Sequence, residues 1–295
     1  MQKIIFLLVL SCSLTLQSAK SQELMDLLGD NKPQKEFTTA TFKTTHIILG
    51  QSSENIGKGD LNFIISHHFG SLNSGAGNFW GFDQSTIRLG VEYGISNRLE
   101  VGLGRSSFQK TINGYLKFKI IRQSNKTPLS LSYFGDMAVN TLPWTDPNRT
   151  NYFTSRLSFV NQLLIARKFN NNLSLQLMPT HVHKNLVKRV IDQNDAFAVG
   201  AGGRFKFTER MSVNAEYYYL LPGQTAKDFN NSLSLGVDIE TGGHVFQLFL
   251  TNSQPLFERG FVTETQGNWA KENIFFGFNI IRTFTIVKPK TFRKS

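Results

Sequence analysis

Residues 85–105 read STIRLGVEYGISNRLEVGLGR. Apolar side chains take every second position: Ile87, Leu89 and Val91, then Leu99, Val101 and Leu103. The charges Arg88, Glu92, Arg98 and Glu100 fall in the gaps. A period of two is that of a β-strand, whose successive side chains point to opposite faces. The short polar break around Ser96 and Asn97 then joins two antiparallel strands. One face of this hairpin is apolar and the other is charged.

The same alternation runs on in both directions. Leu61, Phe63, Ile65 and Phe69 share one face, as do Leu116, Phe118 and Ile120, whose gaps hold Lys117 and Lys119. Leu129, Leu131 and Tyr133 alternate with serines, and Leu173, Leu175 and Leu177 with Ser174 and Gln176. Phe197, Val199, Ala201, Phe205 and Phe207 oppose Gly200, Gly202, Arg204 and Lys206. Twelve such segments lie between Gly59 and Ile286. A soluble sandwich also alternates, so strand length and loop rhythm decide between the two. The segments run to about ten residues, enough to cross a bilayer at a tilt. Short turns after Ile95, Gln123, Phe169, Phe207 and Glu240 alternate with longer loops. That rhythm marks an outer-membrane barrel. The fold expected is all-β, a transmembrane antiparallel up-and-down β-barrel of twelve strands. Its apolar face meets lipid, its charged face lines the bore, and both ends lie in the periplasm. A thirteenth extended piece, Phe42–Leu49, belongs either to the periplasm or to the lumen.

The chain ends agree with export. Lys3 and an apolar run from Ile4 to Leu10 precede small polar residues, the pattern of a secretory signal peptide over 1–21. The alternative is a lipobox ending at Cys12, with an unusually short segment before it. Cys12 is the only cysteine, so cleavage after Ser21 leaves a mature chain without disulfides. Residues 22–58 are expected as a periplasmic N-terminal segment, 59–286 as the barrel and 287–295 as a basic tail. Within the first of these, Leu24, Leu27 and Leu28 have helical spacing, which reads as a short amphipathic piece or as a plug or docking peptide. Lys3, Lys20, Lys288, Lys290, Arg293 and Lys294 carry six charges of the net +11. Such a tail suits an anionic lipid surface. Export and the lack of an aromatic-basic recognition motif argue against nucleic acid.

Several strings also look familiar. "KGDLNFIISHHFG", "RLGVEYGI", "GRSSF" and the closing "GFNIIRTF" resemble an uncharacterised outer-membrane β-barrel family of the Bacteroidota, catalogued as a domain of unknown function. The similarity covers roughly Leu24 to Phe284. The first string reads HHFG where that family has HRFG, which places His68 where an Arg is expected. The resemblance implies a barrel in the outer membrane of a Gram-negative bacterium, and no substrate or catalytic residue.

Strand parity places twelve charges on the bore: Arg88, Glu92, Glu100, Lys117, Lys119, Asp136, Arg156, Arg204, Lys206, Glu216, Asp238 and Glu240. Equal numbers of each sign in a narrow lumen tend to pair, since an unpaired buried charge is costly. The wall reads either as salt-bridged shut or as a small pore for polar or ionic solutes, with Lys117/Lys119 and Arg204/Lys206 hinting at anions. The long loop Asn252–Ala270 offers Glu258, Arg259, Glu264 and Trp269 at a constriction, or packs on the rim. The pair His67 and His68 and the pair His181 and His183 sit on different strands, and as neighbours His67 and His68 point to opposite faces, so neither a metal nor another cofactor is expected. An outward His67 and Ser85 are the only trace of a lipid hydrolase, with no nucleophile motif around them, and no catalytic residue is assigned. The function expected is a narrow pore or binding barrel for small solutes. The alternative is a non-conducting structural or interaction barrel. The partners expected are outer-membrane lipid, lipopolysaccharide and the assembly machinery.

Overall fold

In the computed structural model the alternation of Ser85–Gly94 becomes an alternation of environment. Ile87, Leu89 and Val91 are exposed on the outer wall, and Arg88 and Glu92 are buried inside. The structure describes residues 35–187, 189–225 and 228–288. The expected signal peptide, residues 22–34 and most of the basic tail lie outside them. The chain divides into two units, Met1–Glu36 and Phe37–Ser295, and the second holds every strand.

Twelve strands form one closed antiparallel barrel. They are β1 (Asp60–Ser71), β2 (Ser85–Gly94), β3 (Leu99–Ser106), β4 (Thr111–Ile121), β5 (Ser130–Asn140) and β6 (Leu157–Lys168), then β7 (Leu173–Lys184), β8 (Asp195–Lys206), β9 (Met211–Leu220), β10 (Ser232–Thr241), β11 (His244–Thr251) and β12 (Phe275–Thr285). Each strand pairs with its neighbours in sequence, and β1 closes on β12 with Ile65 opposite Ile280 and Phe63 opposite Arg282. Closure pairs every backbone donor and acceptor that an edge strand would expose to hydrocarbon. The short turns gather at one end of the barrel, the turn side. The long loops gather at the other, the loop side.

The outer wall is apolar along its middle. Leu177 is exposed there, in register with Ile165 on one side and Ala201 on the other. Basic side chains on this surface sit toward strand ends. Arg282 lies 4.8 Å over Phe284 and Arg167 lies 4.9 Å over Phe169. Aromatic rings collect near the loop side, where His67, Phe69 and Phe278 stack at 4.4–6.3 Å. Amphipathic and aromatic rings at this level suit a membrane interface.

The bore is not empty. Within the N-terminal segment 22–58, where the sequence leaves Phe42–Leu49 open between periplasm and lumen, residues 41–53 are almost wholly buried inside the barrel. The reason is a hairpin. Ser52 N–H donates to Thr45 O (2.8 Å) and Ile47 N–H to Gly50 O (2.9 Å), with His46 bridged to Gln51. Its tip carries Ile47, Ile48 and Leu49, three apolar residues that are cheaper to bury than to leave in water. Both arms leave by the turn side. Thr38 N–H donates to Gln123 O (2.9 Å) in the β4–β5 turn, and at the other end Gly59 N–H donates to Gly94 O (2.8 Å) as the chain enters β1.

From the loop side the β11–β12 loop folds inward. Its helix α1 (Glu258–Thr263) is buried along its whole length. Leu256, Phe261 and Val262 join Ile47, Ile48 and Leu49 in one apolar cluster with Phe134, Leu164, Met178 and Tyr218 of the wall. Two wall positions are glycine because the inserted segment passes there. A Cβ on Gly202 would come 2.6 Å from Ile47 Cδ1, and one on Gly94 would come 2.0 Å from Gly57 O.

Candidate functional site: a filled bore and a loop-side vestibule

Around the hairpin, the inward polar side chains of the wall address its backbone. Glu216 accepts from Ile48 N–H (3.3 Å) and from Gly50 N–H (3.1 Å to each oxygen). Gln247 donates to Ile47 O (3.0 Å), Asn279 to Ile48 O (2.9 Å) and Gln176 to Gln51 O (2.8 Å). Gln176 also accepts from Ser53 N–H (2.8 Å). A buried peptide group without a partner is costly, and this set of carboxylate and amide side chains supplies the partners. The hairpin is thereby treated like another strand.

Glu92 is the second anchor. It accepts from Thr45 Oγ1 (2.6 Å) and Asn62 Nδ2 (2.9 Å), meets His46 Nε2 at 2.8 Å and is reached by the Tyr115 hydroxyl. Glu100 pairs with Lys117 at 3.2 Å and accepts from Ile56 N–H (2.8 Å). Lys117, fully buried, also donates to Gln51 Oε1 (3.1 Å). At the turn-side mouth Lys119 faces Glu54 at 3.8 Å, Arg204 donates to Ala40 O (3.0 Å), and Lys43 of the hairpin pairs with the exposed Glu240. Asp238 accepts from Gln247 (2.9 Å), and Asp136 accepts from Asn113 (2.7 Å), whose oxygen receives Arg88 (3.2 Å). Lys206 is half-buried at the turn-side end of β8.

Of the twelve charges that parity assigns to the bore, eleven lie within strands. Arg156 precedes β6, so strand parity does not govern it. It stands at the loop side, 3.7 Å over the Trp144 ring, and donates to Asn140 O (2.8 Å) and Leu142 O. Among the described residues, the ion pair between two of these charges is Lys117–Glu100. The other partners come largely from the hairpin. Sequence parity identifies the wall but not its occupant. The signal for the occupant is the run of amide and hydroxyl residues at inward positions, matched by the extra extended piece Phe42–Leu49.

Of the loop residues, Glu258 and Arg259 are buried in the bore, while Trp269 lies at the rim and donates to Leu233 O (3.1 Å). Glu264 forms the junction below the loops, 2.9 Å from Arg259 and 3.5 Å from Lys184. The histidines do not converge. His68 faces inward with Nδ1 3.1 Å from Gln254 O, and His67 faces outward. His181 and His183 also face outward, and each meets Asp195 Oδ1 at 2.8 Å. Ser85 is in register with Phe69, not with His67.

Two spaces remain. Between the hairpin tip and the inward loop, Ile48, Leu49, Leu256, Arg88 and Ile281 enclose a cavity of about 10 Å³, room for a single water. Above the inward loop a vestibule of about 670 Å³ opens among the loops. Its size is that of a small-molecule site.

The chain from 42 to 284 matches the family described as membrane bound beta barrel domain (DUF5777), and the protein belongs to that family, whose function is unknown. It is a β-barrel of the outer membrane. None of the curated proteins compared matches it significantly. Among solved structures it is similar to the NanC porin, with 7% identity over 77% of this chain and 100% of that one and a TM-score of 0.48. The KdgM porin gives 7% identity over 77% and 99%, with a TM-score of 0.46. An outer membrane channel from Pseudomonas putida F1 gives 12% over 79% and 98%, at 0.43. These likenesses concern the barrel and carry nothing about a solute.

Proposed function

We propose that this protein is a closed solute passage of the outer membrane. It receives small polar solutes on the loop side and opens when the hairpin at 41–53 withdraws through the turn side. One observation carries this reading: the bore is stopped by a segment that belongs to no strand ladder and whose two arms leave by the same end. Withdrawing it breaks no strand pairing. The hairpin's contacts also set the resting state. Three buried apolar residues contribute roughly 1.5–3 kcal/mol each, and each polar anchor adds about 1 kcal/mol. Every 1.4 kcal/mol is about tenfold in population, so the open state is rare in the isolated protein. Lipid and lipopolysaccharide surround the apolar belt, and the assembly machinery inserts it.

The test uses the absence of native cysteine after residue 12. Ser53→Cys with Gln176→Cys places thiols where the hairpin meets β7. In planar bilayers the reduced protein is expected to show brief, infrequent openings. Oxidation or a short bis-maleimide abolishes them, and reduction of the disulfide restores them. A barrel that is silent in every state supports the rival reading, a non-conducting interaction barrel. Steady conduction that cross-linking leaves unchanged excludes the hairpin as the gate.

A further inference from the structure

We infer that the vestibule is a binding site for a small soluble organic anion carrying more than one carboxylate or phosphate group. Its floor is made by Lys184 at the end of β7 and by Arg259 of α1, both more than nine-tenths buried and both lining the space. They share a single carboxylate, Glu264, at 3.5 and 2.9 Å. Arg259 Nη2 is used by Gln109 (2.7 Å), but its buried Nε has no hydrogen-bond partner. The Lys184 ammonium carries three donors, and Glu264 is its near partner.

Arg149 and Arg156 stand on the wall above, Arg156 with its guanidinium carbon 3.7 Å from the centroid of the Trp144 ring. Arg189 also lines the space and is matched outside it by Asp228, at 2.6 and 2.9 Å. That guanidinium holds the Asp228 carboxyl below the usual carboxylate range. Among the described residues, five cations therefore line the vestibule against the carboxylates of Glu264 and Asp192. Glu264 is the close-range partner of both buried cations, with Asp192 farther from Lys184 and Asp136 farther from Arg259, so spare donors such as Arg259 Nε keep no direct acceptor, and taking charge out of water without a full partner is unfavourable. An incoming anion supplies the missing acceptors through charge-assisted hydrogen bonds. The anion preference that sequence parity attached to Lys117/Lys119 and Arg204/Lys206 thus moves to the loop side. In the bore Lys117, Lys119 and Arg204 meet protein groups: Lys117 is sealed against Glu100 and the hairpin, Lys119 faces Glu54 and Arg204 donates to Ala40 O.

The inference deepens the reading of the loop side as the solute entrance, but equilibrium binding tests it without any opening of the bore. Citrate, inorganic phosphate and lipopolysaccharide are titrated separately, by calorimetry at low salt, into the full mature chain in detergent. Citrate is expected to bind saturably and phosphate more weakly, with both lost at high salt. Lys184→Gln should weaken citrate about tenfold, the scale of one charge-assisted contact. Arg149→Gln, at an exposed position of the vestibule wall, should weaken it by a smaller factor while leaving heat-modifiable folding intact. Equal citrate affinity in both variants overturns the inference. So does a folded parent that takes up no citrate, or one that responds to lipopolysaccharide alone. Passage through the bore is read separately, by the cross-linking experiment.

Discussion

A protein carrying Ile47→Asp with Ile48→Asp is expected to assemble as a heat-modifiable barrel and to conduct steadily where the parent is closed. The two isoleucines are 0% and 2% exposed, at the tip of the inserted hairpin. Their burial contributes roughly 1.5–3 kcal/mol each, which the variant loses. The new carboxylates would stand beside Glu216, already committed to Ile48 and Gly50 N–H. A buried carboxylate without a cation is worse than the lost apolar contact. Leaving the bore puts both charges into water and costs the barrel no ladder hydrogen bond. Expulsion is therefore the cheaper response. Single-channel recording checks it. A folded variant as silent as the parent would mean that the inward loop alone closes the bore.

Leu177→Arg is expected to stop assembly. Leu177 is 53% exposed on the outer wall, and its lateral neighbours on that face are Ile165 and Ala201. An arginine there finds no acceptor within the belt, and near the bilayer midplane it costs on the order of 2–4 kcal/mol. Leu89 is a weaker site, because its partner across β3 is Arg105, an outward cation near a strand end. Failure of the Leu177 variant to reach the heat-modifiable form in lipid vesicles, with Ser174→Ala as a bore-facing control that folds, would bear out the orientation of the wall. Normal insertion of the variant would mean that this face does not meet hydrocarbon.

The residues explain what was legible and what was not. Ile87, Leu89 and Val91 against Arg88 and Glu92 disclose the two faces, because side-chain direction along a strand is a covalent consequence of period two. Twelve repetitions with alternating connections then set strand number and closure. The same period cannot say what touches the inner face. Gln176, Gln247 and Asn279 look alike in sequence whether they hydrogen-bond water or a peptide. Here they bond Gln51, Ile47 and Ile48, contacts across 125 to 231 residues of chain that no local pattern encodes. Arg156 was misplaced for a related reason, since parity has no force one residue before a strand begins. The loop Asn252–Ala270 left two placements open, and the structure divides them: Glu258 and Arg259 go into the bore, and Trp269 goes to the rim.

That division gives the protein two separate parts. The bore is polar in its wall but closed by its own chain, so its charges serve the hairpin. The vestibule keeps cations whose partners are incomplete. On the proposed function, different residues would govern solute recognition and passage, and variants of one should leave the other unchanged.

The measurement that bears most directly on this account is thiol reactivity at the hairpin tip. Ile47→Cys, in a Cys12→Ser background and reconstituted in vesicles, is exposed to a charged maleimide from both sides. The account predicts that the thiol of the folded protein is labelled only slowly, at the pace of its rare openings, and fully once the protein is denatured. Labelling of the folded protein as fast as an exposed loop control, Asn148→Cys, would contradict it.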